Sequence, residues 1–374
     1  MASGLTSGLV PRYRDVTVLV TGHTGIKGAW LAAWLTAMGA RVIGYALPPE
    51  HGASSLYEAA KIGDGLVSIF GDVRDAQAVA EVLQRHRPEL VFHLAAQALV
   101  RRSYREPVLS YETNVMGTVH VLEAARRTPS VRGVVVVTSD KCYGDQGLTR
   151  GYRETDPMSG DDPYSSSKGC AELVVAAYRR SFCGDGPALA SARAGNVIAG
   201  GDWAEDRLVP DIMRAVAARR PVALRHPAAV RPWQHVLDPL AGYLLLGARL
   251  REQGAAFAEA WNFGPTEEET VTVRELVERM RKDWDSVEVA NGTSVAEGPA
   301  ESRFLRLDPT KARTRLGWSP LLTLSEAIAW TVEWYRRFLD HPKAAPRLVA
   351  QQLAAYDKRL GAVPAGAATE VTGL

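Results

Sequence analysis

The chain has 374 residues, 46% of them hydrophobic, with 44 basic against 42 acidic side chains and a formal net charge of +2. That balance argues against a general nucleic-acid surface, and no apolar run reaches the roughly 20 residues needed to span a bilayer, so neither nucleic acid nor membrane is an expected partner. The three cysteines, Cys142, Cys170 and Cys183, lack metal-ligand spacing and cannot all pair, which predicts reduced thiols, a cytoplasmic setting and no metal centre.

The N-terminal "MASGLTSGLVPRYRD" lacks the apolar centre of a signal peptide, and its "LVPR" looks like a protease-site scar; residues 1–13 are expected to stand outside the fold. "VTVLVTG" (16–22) reads as a buried strand. An apolar helical pattern follows over 25–39, carrying Trp30, Leu31, Trp34, Leu35 and Met38 and stopping at Gly39. "RVIGYAL", "VSIFGDV" (67–73), "ELVFHLA" (89–95) and "GVVVVTS" continue as strands, with helices predicted at "DAQAVAEVLQRH" and over about 107–127. This alternation predicts an α/β fold: a Rossmann-like doubly wound parallel sheet, its near-continuous apolar strands covered on both faces. After residue 193 the rhythm breaks into Trp-, Arg- and Pro-rich loops, and helical patterns return at 270–283 and 323–339. The expected organisation is a dinucleotide-binding domain over 14–196 with returning segments near 236–264, a smaller mixed C-terminal substrate lobe from 197–235 and 265–345, and a disordered tail over 361–374.

"TGHTGIKG" sets Gly22, Gly25 and Gly28 between the first strand and its helix, with Thr24, Ile26 and Lys27 in the same turn. Glycines there let the backbone turn tightly and approach a pyrophosphate at the helix N-terminus, although an ordinary tight turn has the same composition. The second strand ends "GYALPPE", without the acid that binds ribose hydroxyls and without an arginine for a 2′-phosphate, so the residues alone leave NAD and NADP open. Asp72 and Val73, and Leu94, Ala95 and Ala96, stand at later strand ends where adenine and phosphate contacts can form.

Two Tyr-x-x-x-Lys patterns occur. "YSSSK" gives Tyr164 and Lys168 on one face of a helix predicted over 163–182, where an ammonium one turn from a phenol favours the phenolate; lowering a tyrosine from about 10 to about 7 takes roughly 4 kcal/mol. "YEAAK" gives Tyr57 and Lys61, which lie too early in the chain for a substrate site and read as a surface helix. Tyr164 is favoured because it follows the strand that ends in Ser139, Asp140 and Lys141, and successive strand ends of a doubly wound sheet face one crevice.

Together, "VTGHTGIKGAWL", "HLAAQALVRRSYREP", "TNVMGT", "TSDKCYG", "PYSSSKGCAE" and "RAGNVIAGGDWAEDRLVPD" resemble the extended short-chain dehydrogenases/reductases, and among them the CDP-glucose 4,6-dehydratases, over residues 15–340. The resemblance implies NAD as cofactor, CDP-D-glucose as substrate and a homodimer built through the helices at 107–127 and 163–182. It implies that Tyr164 takes the C4 hydroxyl proton with Ser139 bonded to the same oxygen, while Lys168 assists Tyr164 and the ribose. It further implies that Asp140 is the acid toward the C6 oxygen and Lys141 the base at C5, where related dTDP-glucose dehydratases use Asp-Glu. Lys141 must then be neutral, and burial beside the Lys168 cation is expected to depress it. Gln97, Asn114, Arg193, Asn196, Arg207, Arg231 and Arg303 are the substrate-binding residues that the resemblance implies, Arg231 at the diphosphate. Ala300 departs from a His-Glu pair frequent in the family near 300–301. Trp203 and Trp233 read as core before cytosine stacking, and His23, His93, His120 and His235 as structural. Two competing readings remain: another nucleotide-sugar enzyme, such as an epimerase or ketoreductase, which would not need Asp140 and Lys141; and a non-catalytic cofactor-binding protein, which would not need to keep Tyr164, Lys168 or Asp140.

Overall fold

In a computed structural model of the chain, residues 8–50, 52–144, 147–148, 150–182, 184, 186–265, 270–290 and 305–362 are described. Their centre is a seven-stranded sheet in which every pairing is parallel. Six strands are β1 (Thr17–Thr21), β2 (Arg41–Ala46), β3 (Val67–Phe70), β4 (Leu90–His93), β5 (Gly133–Val137) and β6 (Ala188–Ala194); Ala260–Phe263 adds the outer strand beside β6. The spatial order is Ala260–Phe263, β6, β5, β4, β1, β2, β3. The order reverses between β1 and β4, which opens a crevice at the carboxyl ends of those strands.

Alternation along each strand sorts residues to two cores. Val18, Val20, Val135 and Val137 face a cluster with Trp30 and Trp34 of the helix Ile26–Ala37 and with Leu240 and Leu244 of the helix Leu237–Gln253. Leu19, Val134 and Val136 face the other side, with Val79, Leu83, Val121 and Val175. Burial on both faces is why these strands read as unbroken apolar runs. Gly39, at φ +81°, ends the first helix with its N–H on the Thr36 carbonyl, as the sequence suggested.

The long helix expected over about 107–127 is present but not uniform. Pro107–Tyr111 and Gly117–Arg126 are α-helical, and Glu112–Met116 between them forms a π-turn that turns Asn114 inward. Beyond β6, short strands pair Val197–Ile198 with Gln234–His235 and Val230–Pro232 with Thr270–Thr272. The helices Val273–Asp283 and Leu324–Asp340 begin with capping boxes, Thr272 with Glu275 and Thr323 with Glu326.

Three expectations change. Residues 9–13 do not stand outside the fold: Leu9–Tyr13 is a helical turn with Leu9 and Tyr13 buried, and Tyr13 donates to the Leu244 carbonyl at 2.6 Å. A buried aromatic ring with a satisfied hydroxyl outweighs the polar composition of its surroundings. The final helix runs Ala345–Ala362, so Gly361 and Ala362 belong to it; 363–374 lies outside the described residues. Tyr57 is not on a surface helix. It is buried, with its hydroxyl on Ser68 Oγ at 2.8 Å, while Lys61 sits beyond the helix end at φ +52°.

Candidate active site

The turn after β1 is shaped by contacts that only glycine permits. Gly22 has φ +76°, and a Cβ there would lie 2.7 Å from the Ala95 nitrogen; a Cβ on Gly28 would lie 2.0 Å from the Gly22 carbonyl oxygen. Gly25 caps the helix Ile26–Ala37 without a side-chain bond, and no acid stands in the first turn, so the helix N-terminus keeps free N–H groups for an anion. Leu94 and Ala95 border it, their amides bonded to the Thr21 carbonyl (3.1 Å) and hydroxyl (3.2 Å). The Thr24 hydroxyl holds the Leu47 carbonyl at 2.9 Å, which fixes the β2 exit over the turn. A dinucleotide diphosphate fits this cradle. Asp72 is clasped by Arg74 at 2.6 Å and Val73 packs against Gly117, so both shape the end of β3.

At the end of β5, Ser139 accepts from the Lys141 amide at 3.2 Å and donates to Asp140 Oδ1 at 2.9 Å. Asp140 is buried, and a Cβ on Gly195 would stand 3.1 Å from its Oδ2, so the end of β6 backs the carboxyl. Burial raises the Asp140 pKa, against the opposing charge of Lys141, the Ser139 bond and the charges of Lys27 and Arg231. Lys141 is half-buried, less enclosed than expected.

Tyr164 and Lys168 lie one turn apart near the start of the helix Pro163–Ser181, whose Asp162 cap accepts from the Ser165 amide at 2.9 Å. Ser103 Oγ accepts from the Tyr164 amide at 3.1 Å. Contrary to the expected lowering, burial pushes Tyr164 up to about 12, opposed first by a hydrogen bond with Ser139. Burial likewise brings Lys168 down to about 8 despite Glu172, and its Nζ donates to the Val137 carbonyl at 3.3 Å. Desolvation is the largest influence on both groups. Lys27 also comes down to about 8 by burial, with Arg207, Asp140 and Lys168 as its charged neighbours.

Ser139, Asp140, Lys141, Tyr164, Lys168, Lys27, Arg207 and Arg231 therefore share one electrostatic neighbourhood. Other candidates have internal partners. Arg193 is buried on Glu172 at 2.7 Å and on the Tyr143 hydroxyl at 2.5 Å, which makes it an internal brace. Gln97 bonds through its side chain to Leu99 and Ser110, and Asn114 to Gln97 and Ser167, so both hold a loop together. Their amides and the guanidinium satisfy buried partners first, a demand that spacing along the chain does not reveal. The Asn196 carbonyl accepts from the Gln234 amide at 3.2 Å, tying the two crossing loops. Arg303, Ala300 and Cys183 lie outside the described residues. Trp203 packs on Tyr335 and Phe338. His93 bridges Thr21 and Thr118, His23 meets Ser68, His120 meets Val73, and His235 lies between Trp30 and Trp330. Sequence reading did not single out Glu172, whose signal is an acid four residues beyond Lys168 on the same helix.

The sequence profile of the family described as GDP-mannose 4,6 dehydratase matches residues 19–331. The chain is 48% identical to a CDP-glucose 4,6-dehydratase of Salmonella typhimurium over 86% of its own length and 91% of that protein. It is 29% identical to a dTDP-glucose 4,6-dehydratase of Xanthomonas campestris over 85% of itself and 93% of that protein. Among solved structures, the dTDP-glucose 4,6-dehydratase DesIV of Streptomyces venezuelae, with NAD bound, aligns at TM-score 0.74 and 26% identity over 86% of this chain and 97% of that one. The UDP-glucose 4-epimerase of Thermus thermophilus in complex with NAD aligns at TM-score 0.73 and 26% identity, over 86% and 99%. With the Ser-Asp-Lys end of β5 and the Tyr164–Lys168 helix in place, the chain belongs to the CDP-glucose 4,6-dehydratase family of extended short-chain dehydrogenases/reductases.

Proposed function

We propose that this protein dehydrates CDP-D-glucose to CDP-4-keto-6-deoxy-D-glucose with NAD. The observation that carries this is the placement of a buried Asp140, its pKa raised by that burial, beside Lys141 directly beyond Ser139. An epimerase or ketoreductase has no use for a second acid and base beside the tyrosine. NAD, against NADP, is supported by the NAD-bound relatives in structure.

Gly22, Gly25, Gly28 and the Ile26–Ala37 N-terminus would hold the diphosphate of NAD, with Leu94, Ala95 and Ala96 alongside. When bound, its nicotinamide supplies an acceptor for the C4 hydride and returns that hydride to C6. Tyr164 accepts the C4 hydroxyl proton, and Ser139 steadies the oxygen. Tyr164 can take that proton only as a phenolate, so its own phenolic proton must leave first; the Ser139 hydrogen bond and the Arg207 charge favour that form, against the burial that raises its pKa. The resulting 4-ketone acidifies C5. Lys141 removes the C5 proton, Asp140 donates a proton to the C6 hydroxyl, and water leaves. The C5 proton is restored as C6 is reduced. Arg231 and Arg207 are the cations for the substrate diphosphate.

We also infer a homodimer in a reducing, cytoplasmic setting. Val108 at 67% exposure and Leu173 at 60%, with Tyr111 and Met116, form an apolar surface on the two helices that the family resemblance assigns to the contact. Cys142 and Cys170 are free thiols, which suits a reducing compartment.

The test is incubation with CDP-glucose and detection of the 4-keto-6-deoxy sugar by its absorbance in alkali. Product from CDP-glucose supports the reading; no product from CDP-, dTDP-, GDP- or UDP-glucose rejects it.

A further inference from the structure

Glu172 lies four residues after Lys168 on the helix Pro163–Ser181, so the two side chains leave one face of it. It is buried and takes no part in the steps above. Its Oε1 accepts from Thr138 Oγ1 at 2.5 Å, and its Oε2 accepts from Ser191 Oγ and from Arg193 Nη2, each at 2.7 Å. Arg193 then donates Nη1 to Tyr143 Oη at 2.5 Å and stacks its guanidinium 5.0 Å from the same ring. Tyr143 donates onward to Asn262 Oδ1 at 2.9 Å. Thr138 immediately precedes Ser139, and Tyr143 comes two residues after Lys141. One carboxylate therefore holds both flanks of the reactive tripeptide, the first directly and the second through Arg193.

We propose that Glu172 is a positioning residue that, through Thr138 on one side and Arg193 and Tyr143 on the other, fixes the placement of Ser139, Asp140 and Lys141 against the sugar. This rests on the dehydratase reading. A buried ion pair contributes little net stability over apolar packing. What it adds is direction, because a carboxylate and a planar guanidinium joined by directed hydrogen bonds restrict the arrangement where apolar contacts would allow sliding. Elimination depends on that direction more than oxidation does. Oxidation uses Tyr164 and Lys168 on the helix and only Ser139 from the tripeptide. Elimination needs both Asp140 and Lys141, each aligned to a different carbon.

Thr138→Val removes one flank's donor at nearly constant volume and leaves Glu172 bonded to Ser191 and Arg193; Thr138→Ser keeps the donor. Tyr143→Phe releases the other flank. In single-turnover experiments with the NAD-loaded enzyme and CDP-glucose, reduced-nicotinamide absorbance reports C4 oxidation and alkaline absorbance reports elimination. Thr138→Val and Tyr143→Phe are expected to oxidise C4 within about twofold of wild type with KM unchanged, and to eliminate about 10- to 100-fold more slowly, the range that a displacement of about 1 Å costs. Thr138→Ser is expected to restore elimination. Elimination at the wild-type rate in both variants, or oxidation and elimination falling in equal proportion, overturns the inference. A wild-type protein that makes no product removes the dehydratase reading and this inference with it, whereas wild-type turnover beside unselective variants removes this inference alone.

Discussion

Ser139 donates its hydroxyl to Asp140 Oδ1 at 2.9 Å and also favours the ionised form of Tyr164, so a single side chain acts on the group that works on C4 and on the group that works on C6. The two halves of the reaction meet at one residue, and variants on either side of it should separate them.

Tyr164→Phe removes the acceptor of the C4 proton. Oxidation itself should fall by about 10²- to 10⁴-fold, the usual contribution of a positioned acid–base group. Stopped-flow absorbance of the nicotinamide should show no transient reduction, while bound NAD content stays at the wild-type level.

Asp140 gives a prediction in which stability and activity move in opposite directions. Its folded pKa is raised, chiefly by burial. The unfolded chain therefore releases this proton more readily than the folded one, and the group lowers stability at pH values above its folded pKa. The penalty fades as pH falls through the folded pKa toward the unfolded value near 3.9. Asp140→Asn removes the ionisable proton at constant shape, so its melting temperature at pH 7 should be higher than that of wild type, and the difference should shrink in acid. Its dehydration rate should drop by about 10²-fold or more. Calorimetry across pH, beside the product assay, checks both parts; a less stable variant at pH 7 would contradict the burial argument.

The reach of sequence reading differs between the sheet and the site. β1 and β5 could be recognised because β-branched residues buried on both faces leave an unbroken apolar run, and the Gly22–Gly28 turn because close backbone approach admits no other residue. The crevice residues Asp140, Lys141, Tyr164 and Lys168 followed from strand ends that share one edge. The internal bonds of Arg193 and Asn114 did not follow, because their partners Tyr143, Gln97 and Ser167 lie 17 to 53 residues away in the chain and residue type alone does not say whether a polar group serves a ligand or a neighbour. The Leu9–Tyr13 turn was hidden for a related reason: one buried tyrosine in a polar segment carries no periodicity.

Gly28→Ala places a methyl group 2.0 Å from the Gly22 carbonyl oxygen, a backbone atom that cannot swing aside. The turn must open, at a cost of about 1–3 kcal/mol. Denaturant unfolding should show that loss, and the purified variant should carry less nicotinamide cofactor than wild type.

Leu173→Glu puts a charge on a side chain that is 60% exposed in the single chain. If that face is covered by a second copy, sedimentation should show a wild-type dimer and a monomeric variant whose secondary structure is intact. A variant that remains dimeric places the contact elsewhere.

The most direct measurement is a single-turnover reaction of Lys141→Met with CDP-glucose, following reduced nicotinamide and product together. The account predicts that C4 oxidation proceeds, the reduced cofactor persists, and no 4-keto-6-deoxy sugar forms. Product formation by Lys141→Met at the wild-type rate would contradict it.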